Sequence, residues 1–360
     1  MSVTWRWLAA AAAVVAAIGL LAGCSSLGYY WQSASGHLSM LSASRSVDDW
    51  IADSETPQRL KERLALSQRI RRFASGELKL PDNPSYSRYA DLRRTAVVWN
   101  VVAAPKYSLE LKKSCFPVTG CVGYRGYFDE RDARAEAARL AREDLEVNVY
   151  PVPAYSTLGW MNWAGGDPLL NTFINYPEGE LARTIFHELA HQVVYTKDDT
   201  MFNESFATAV ERIGGRRWLE THANEQARSD YAQYDGRRQQ FRALTAGTRK
   251  RLEEIYEKTS GEERDVLKQR AMQDFRADYA TMRAGWPGDP ARYRLYDRWV
   301  AEANNAAFGA QAAYDELVPG FEALFQREGR DFQRFYDAAK KLADAPKKRR
   351  HEQLKEIAGA

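Results

Sequence analysis

Residues 178–195 read Glu-Gly-Glu-Leu-Ala-Arg-Thr-Ile-Phe-His-Glu-Leu-Ala-His-Gln-Val-Val-Tyr, an amphipathic stretch that predicts one helix. Pro177 suits its first turn, and Glu178 and Glu180 sit where a helix dipole favours anions. Inside it, His187 and His191 are four residues apart and share one face, so two imidazoles can converge on one ion. Glu188 stands beside them, where a carboxylate can act as general base on an activated water. Zinc fits this pattern best, because it accepts three protein ligands and keeps a position open for a water whose pKa it lowers to about 7.

A third ligand is sought downstream. The polar run Lys197-Asp198-Asp199-Thr200 predicts a turn, and a second helix follows from about Asn203 to Leu219, capped by Thr200 or Asn203. Glu204 falls in its first turn and reaches the two histidines if this helix folds back on the first. Thr208 and Glu211 lie four and seven residues further on, nearly on the same face, as candidates to orient a ligating imidazole. With five histidines in 360 residues, a chance His-Glu-x-x-His is improbable, roughly one in a hundred by composition. His37, His222 and His351 lack such context and are expected at the surface.

Around this segment the pattern is α+β and predominantly helical. Leu60, Leu64, Ile70 and Phe73 recur at near-helical spacing. Val97 to Val102 and Leu145 to Val152 predict strands flanking a charged helix from about Asp129 to Glu143, with a further strand around Thr172 to Tyr176. These strands form a small mixed sheet beside the histidine helix. Two long polar helices, roughly 221–257 and 262–284, are joined by Thr259-Ser260-Gly261 and predict an antiparallel hairpin in the C-terminal half. Three further helices lead to a basic tail from residue 346, where Lys347 to Arg350 are expected to be solvated. The net charge of +3 excludes the concentrated basic face of a nucleic-acid binder. The regions are therefore a leader at 1–23, a catalytic region at 24–220, a helical region at 221–345 and the tail at 346–360.

The leader has Arg6 followed by an apolar run from Leu8 to Ala22, too short for a membrane span. Its end, Leu21-Ala22-Gly23-Cys24, resembles the lipobox of bacterial lipoproteins, which implies acylation of Cys24 and a membrane anchor. Ser25 lacks the retention signal of inner-membrane lipoproteins, so an outer-membrane lipoprotein facing the periplasm is expected. Cys115 and Cys121 remain, separated by a turn-prone spacer with Pro117 and Gly120, and predict a disulfide in an oxidising compartment.

The His187 to His191 motif with a downstream helical Glu204 resembles the gluzincin group of zinc peptidases. More closely, the chain resembles a bacterial putative aminopeptidase family of lipoproteins. The matching pieces are Trp99 to Ala104, Cys115 to Cys121, Tyr124 to Phe128, Ala154 to Trp160, Phe186 to Gln192 and Phe202 to Ala207. The resemblance implies His187, His191 and Glu204 as zinc ligands, Glu188 as base and a peptide as substrate. Two features depart from other gluzincins: the spacer from His191 to Glu204 holds 12 residues, and Thr208 stands where an Asp usually supports the site. No Gly-x-Met-Glu-Asn segment for gripping a free amine is present.

The developing oxyanion needs a donor, for which Tyr155, Arg125 and Tyr314 are candidates. Two other readings compete. One is a zinc amidase acting on cell-wall peptides, which would use the same ligands. The other is a non-enzymatic envelope tether with the 221–284 hairpin as its binding arm.

Overall fold

A computed structural model of the chain describes residues 28–116, 120–312 and 315–359, so Cys24, the leader and Tyr314 lie outside the described residues. A helix over 28–42 (α1) precedes β1 (Arg45–Ser46), α2 (Val47–Ala52) and α3 (Gln58–Gly76). Short strands follow: β2 (Arg88–Ala90), β3 (Val98–Pro105), β4 (Ser114–Phe116), β5 (Gly120–Val122) and β6 (Arg125–Tyr127). Next come α4 (Glu130–Ala141), β7 (Leu145–Val152), β8 (Leu169–Leu170), α5 (Glu178–Ala190) and α6 (Thr200–Thr221). The C-terminal half is helical: α7 (Glu225–Lys258), α8 (Gly261–Ala284), α9 (Arg294–Glu302), α10 (Asn305–Ala312), α11 (Val318–Arg327), α12 (Phe332–Asp344) and α13 (Lys347–Gly359). The predominantly helical α+β class is as the sequence predicts. No helix among the described residues is long and apolar enough to cross a membrane.

Where one mixed sheet is expected, the described residues form three small ones. β1-β2-β8 is mixed, β6-β3-β7 is antiparallel, and β4-β5 is a hairpin closed by the Cys115–Cys121 disulfide. β7 has the bounds its alternating pattern predicts, and its full length pairs with β3, Val98 opposite Val152 through Pro105 opposite Leu145. The strand expected near Thr172 is instead a turn, held by bonds from Phe173 N and Ile174 N to Leu170 O. Pairing explains the change: Leu169 and Leu170 have β2 as a neighbour, whereas 172–176 has no strand beside it.

The period-two geometry of β3 decides what each sheet face carries. Trp99, Val101 and Ala103 pack with Tyr127 on the α4 side, against Ala133 and Leu140. Val102 and Ala104 point the other way, among Tyr124, Tyr150 and Ala306.

The long hairpin of α7 and α8 forms as predicted and builds its own apolar cluster with α9 from Phe241, Leu252, Phe275, Trp286 and Val300. The basic tail, in contrast, is helical. Leu354 is fully buried and Arg350 nearly so, because one face of α13 packs on the core while the other keeps its charges in water.

The main core surrounds α5 and α6. Phe206, fully buried on α6, meets the rings of Phe321, Phe335 and Tyr336 at centroid distances of 5.5, 5.7 and 6.1 Å. Truncating it leaves a cavity where three elements meet. Phe206→Ala should therefore lower the free energy of unfolding in urea by about 3–5 kcal/mol; a loss below about 1 kcal/mol would contradict this packing.

Candidate metal centre

The apolar face of α5, comprising Leu181, Ala182, Ile185, Phe186, Leu189 and Ala190, is wholly buried, which turns the polar positions of the helix toward α6. The helix ends earlier than its pattern predicts: His191 is its C-cap, with its N–H donated to His187 O, and Gln192 to Val193 form a turn. α6 begins at Thr200, three residues before the expected start. Its cap is Asp199, whose carboxylate accepts Phe202 N–H at 3.3 Å. Asn203, a candidate cap in the sequence, is instead buried and brackets the turn. Its Oδ1 accepts Thr196 N–H and its Nδ2 donates to Thr196 O, both at 2.8 Å.

This connection folds α6 back on α5 and brings the three expected ligands together. His187 Nε2 lies 3.2 Å from His191 Nε2 and 3.2 Å from Glu204 Oε2, and His191 Nε2 lies 3.6 Å from that same oxygen. Zinc–ligand bonds of about 2.0–2.2 Å in a tetrahedron require ligand atoms roughly 3.3–3.5 Å apart, so the donor set fits the ion in chemistry and in size. All candidate ligand atoms fall within 4.8 Å of one another.

Behind the ligands, Glu211 Oε2 meets His187 Nδ1 at 3.0 Å. In the tautomer that donates from Nδ1, Nε2 keeps its lone pair for a metal. Arg183 donates to the other oxygen of Glu211, bonds the Tyr231 hydroxyl at 2.9 Å and pairs with Asp235 at 3.4 Å, both on α7. Glu211, a candidate to orient a ligating imidazole, therefore lies within hydrogen-bond distance of His187. Thr208 is buried one turn beyond Glu204, but no hydrogen bond joins it to either histidine among the described residues.

The electrostatics favour positive charge at this point. Burial raises the Glu204 carboxyl, but His191 and His187 outweigh it and hold the group far below its usual range. Burial likewise opposes ionisation of Glu211, and Arg183 and His187 reverse the effect, bringing it to about 2. For His187, burial disfavours charge, and bonding to Glu204 and Glu211 overcomes that penalty, so the ring titrates well above its usual value. Glu188 differs: burial pushes it up, with only partial opposition from the two imidazoles.

Two of the oxyanion candidates, Tyr155 and Arg125, do not join this cluster, and the third, Tyr314, lies outside the described residues. Tyr155 packs between His37 and Phe128, at ring distances of 5.7 and 5.5 Å. Arg125 sits on the α4 side of its strand, 4.0 Å over the Tyr29 ring and 3.8 Å from Glu136. Strand alternation gives the opposite face to its neighbour Tyr124. Burial raises the Tyr124 phenol, and the charge of Glu204 adds to that effect. Tyr150 and Tyr195 respond in the same way, each pushed up to about 12 by burial, with Glu204 contributing. Tyr86, whose buried hydroxyl has no hydrogen-bond partner among the described residues, feels Glu188. Tyr124 and Tyr150 were within reach of the sequence, as inward positions of strand-like segments. Tyr86 carried no such signal.

Of the histidines expected at the surface, His37 is buried and His351 is half-buried, 2.9 Å from both oxygens of Asp199.

The family model described as "Putative aminopeptidase" matches residues 28–354, nearly all of the described chain. Comparison with curated proteins and with solved structures gives no match.

Beside the centre, the segment from Tyr155 to Asp167 is fastened by polar side chains. Ser85 Oγ donates to Asn162 Oδ1 at 3.2 Å and accepts from Gln192, next to His191, at 3.2 Å, while Asp167 accepts Thr157 N–H at 3.0 Å. Burial raises the Asp167 carboxyl from 3.8 to about 6, with Thr157 and Ser156 opposing the shift. A carboxyl whose folded pKa exceeds its unfolded value costs nothing below the lower pKa. Its penalty grows from about pH 4 to pH 6, to at most about 3 kcal/mol. Asp167→Asn should therefore gain stability relative to the wild type as pH rises from about 4 to 7 in urea titrations. A difference that stays constant with pH would contradict the burial of this charge.

Proposed function

The chain belongs to the putative aminopeptidase family, and on that premise we propose that it is a zinc-dependent peptidase hydrolysing peptide bonds, with His187, His191 and Glu204 as ligands and Glu188 as general base. The observation that carries this reading is the convergence of two imidazoles and one carboxylate within 4.8 Å, on two helices packed to face each other. When bound, zinc would supply Lewis acidity toward the scissile carbonyl and lower the pKa of water to about 7.

The chain's own groups do the rest. Glu188 accepts the proton of the attacking water and passes it to the departing amine; its burial-raised pKa favours the second half of that transfer. Glu211 and Arg183 hold the His187 ring in its ligating orientation. The phenols of Tyr150 and Tyr195, with pKa values pushed up to about 12, stay protonated at neutral pH. With Tyr124, they are O–H donors for the charge that develops on the carbonyl oxygen. Acylation at Cys24 would anchor the enzyme to the outer membrane, facing the periplasm, and the Cys115–Cys121 disulfide suits that compartment.

Purified protein should hold about one zinc per chain by elemental analysis, and His187→Ala should lose it. Glu188→Gln should retain the metal and lower kcat on aminoacyl or peptide substrates by about 10²–10⁴. Folded wild type that takes up no zinc when it is supplied would defeat the reading.

A further inference from the structure

The turn that sets the distance between the second and third ligands is held from outside by a helix about 150 residues away in sequence. Asp199 has no exposed side-chain surface and caps α6, whose fifth residue is Glu204. Three side chains of α13 meet it: His351 Nε2 at 2.9 Å, Arg350 at 3.4 Å and Lys347 at 3.6 Å. Arg350 also donates to Thr196 Oγ1 at 2.6 Å, and Lys347 to Asp198 O at 2.8 Å. Burial opposes ionisation of Asp199, yet His351 and Lys347 hold its carboxyl below the usual range, so the cluster is a paired one.

The disulfide hairpin grips the same turn from another side. Cys121 N–H donates to Asp198 Oδ1 at 2.6 Å. Gly120, at φ +74°, allows this approach, because a Cβ there would stand 2.6 Å from that oxygen. Asp198 itself holds a left-handed φ of 64°. A short connection bonded on both sides has little freedom to slide α6 along α5.

Metal–ligand distances tolerate about ±0.2 Å, so a small shift of α6 costs affinity. The geometry points to α13 as a working part of the metal centre, with His351 and Asp199 as positioning residues that hold the helix end bearing Glu204. This inference rests on the zinc reading and adds to it a dependence on the C-terminal helix, which the ligand motif does not contain.

The test is zinc affinity of the full chain, by competition with a chromophoric chelator, together with the thermal midpoint of the metal-free protein. His351→Ala should weaken zinc binding about tenfold or more. His351→Gln, which keeps a donor at the Nε2 position, should restore it to within about twofold. Leu354→Ala removes a fully buried contact of the same helix; it should lower the thermal midpoint and leave zinc affinity near that of wild type. Equal affinity for His351→Ala and wild type would overturn the inference. So would a loss in Leu354→Ala matching that in His351→Ala, since α13 would then serve only general stability. Wild type without zinc is a different failure, which removes the functional reading and this inference with it.

Discussion

Everything in this molecule is arranged around one largely enclosed carboxylate, Glu204, held against two imidazoles four residues apart on a facing helix. Desolvation alone would make that carboxylate costly, and only positive charge at short range makes it tenable. The surroundings meet this demand in order of distance. The imidazoles lie at 3.2 and 3.6 Å. Glu211 fixes one of them from behind at 3.0 Å. Arg183, itself buried, neutralises Glu211 and carries the ion-pair chain to Asp235. On the proposed function, a dication held by His187, His191 and Glu204 would complete the balance.

That chain of charges also explains the place of the long hairpin. α7 contributes Tyr231, Asp235 and Arg238, with Arg238 pairing Glu180 at 2.9 Å on the histidine helix. The hairpin has an apolar cluster of its own, so it can stand as a rigid brace rather than hang as a free arm. α11 and α12 act on the other side of α6, where Phe321, Phe335 and Tyr336 enclose Phe206. The placement of the proposed ligands is thus fixed by packing on one flank and by ion pairs on the other.

Much of this was legible in the sequence where a local pattern carries the information. The helix bearing His187 and His191, the helix bearing Glu204, the hairpin around Ser260 and the full length of β7 follow from periodicity and turn residues. What could not be read depends on partners distant in the chain. α5 stops at Ala190, although Val193 and Val194 continue its apolar pattern, because the chain must turn to deliver Glu204. The Lys347–Arg350 run looks like a solvated tail until Asp199 is placed beside it. Arg125 and Tyr124 are neighbours in sequence, and only the pairing of β6 with β3 assigns one to α4 and the other to the vicinity of Glu204. Tyr86 adopts a left-handed φ of 65° in a segment with no regular periodicity, so nothing local marks it.

The most direct measurement is X-ray absorption at the zinc edge on the purified protein. The expected result is a first shell of nitrogen and oxygen only, at about 2.0–2.2 Å, with the outer-shell scattering of two imidazoles. A shell containing sulfur at about 2.3 Å, or scattering from no imidazole, would place the metal elsewhere and contradict the assignment of His187, His191 and Glu204.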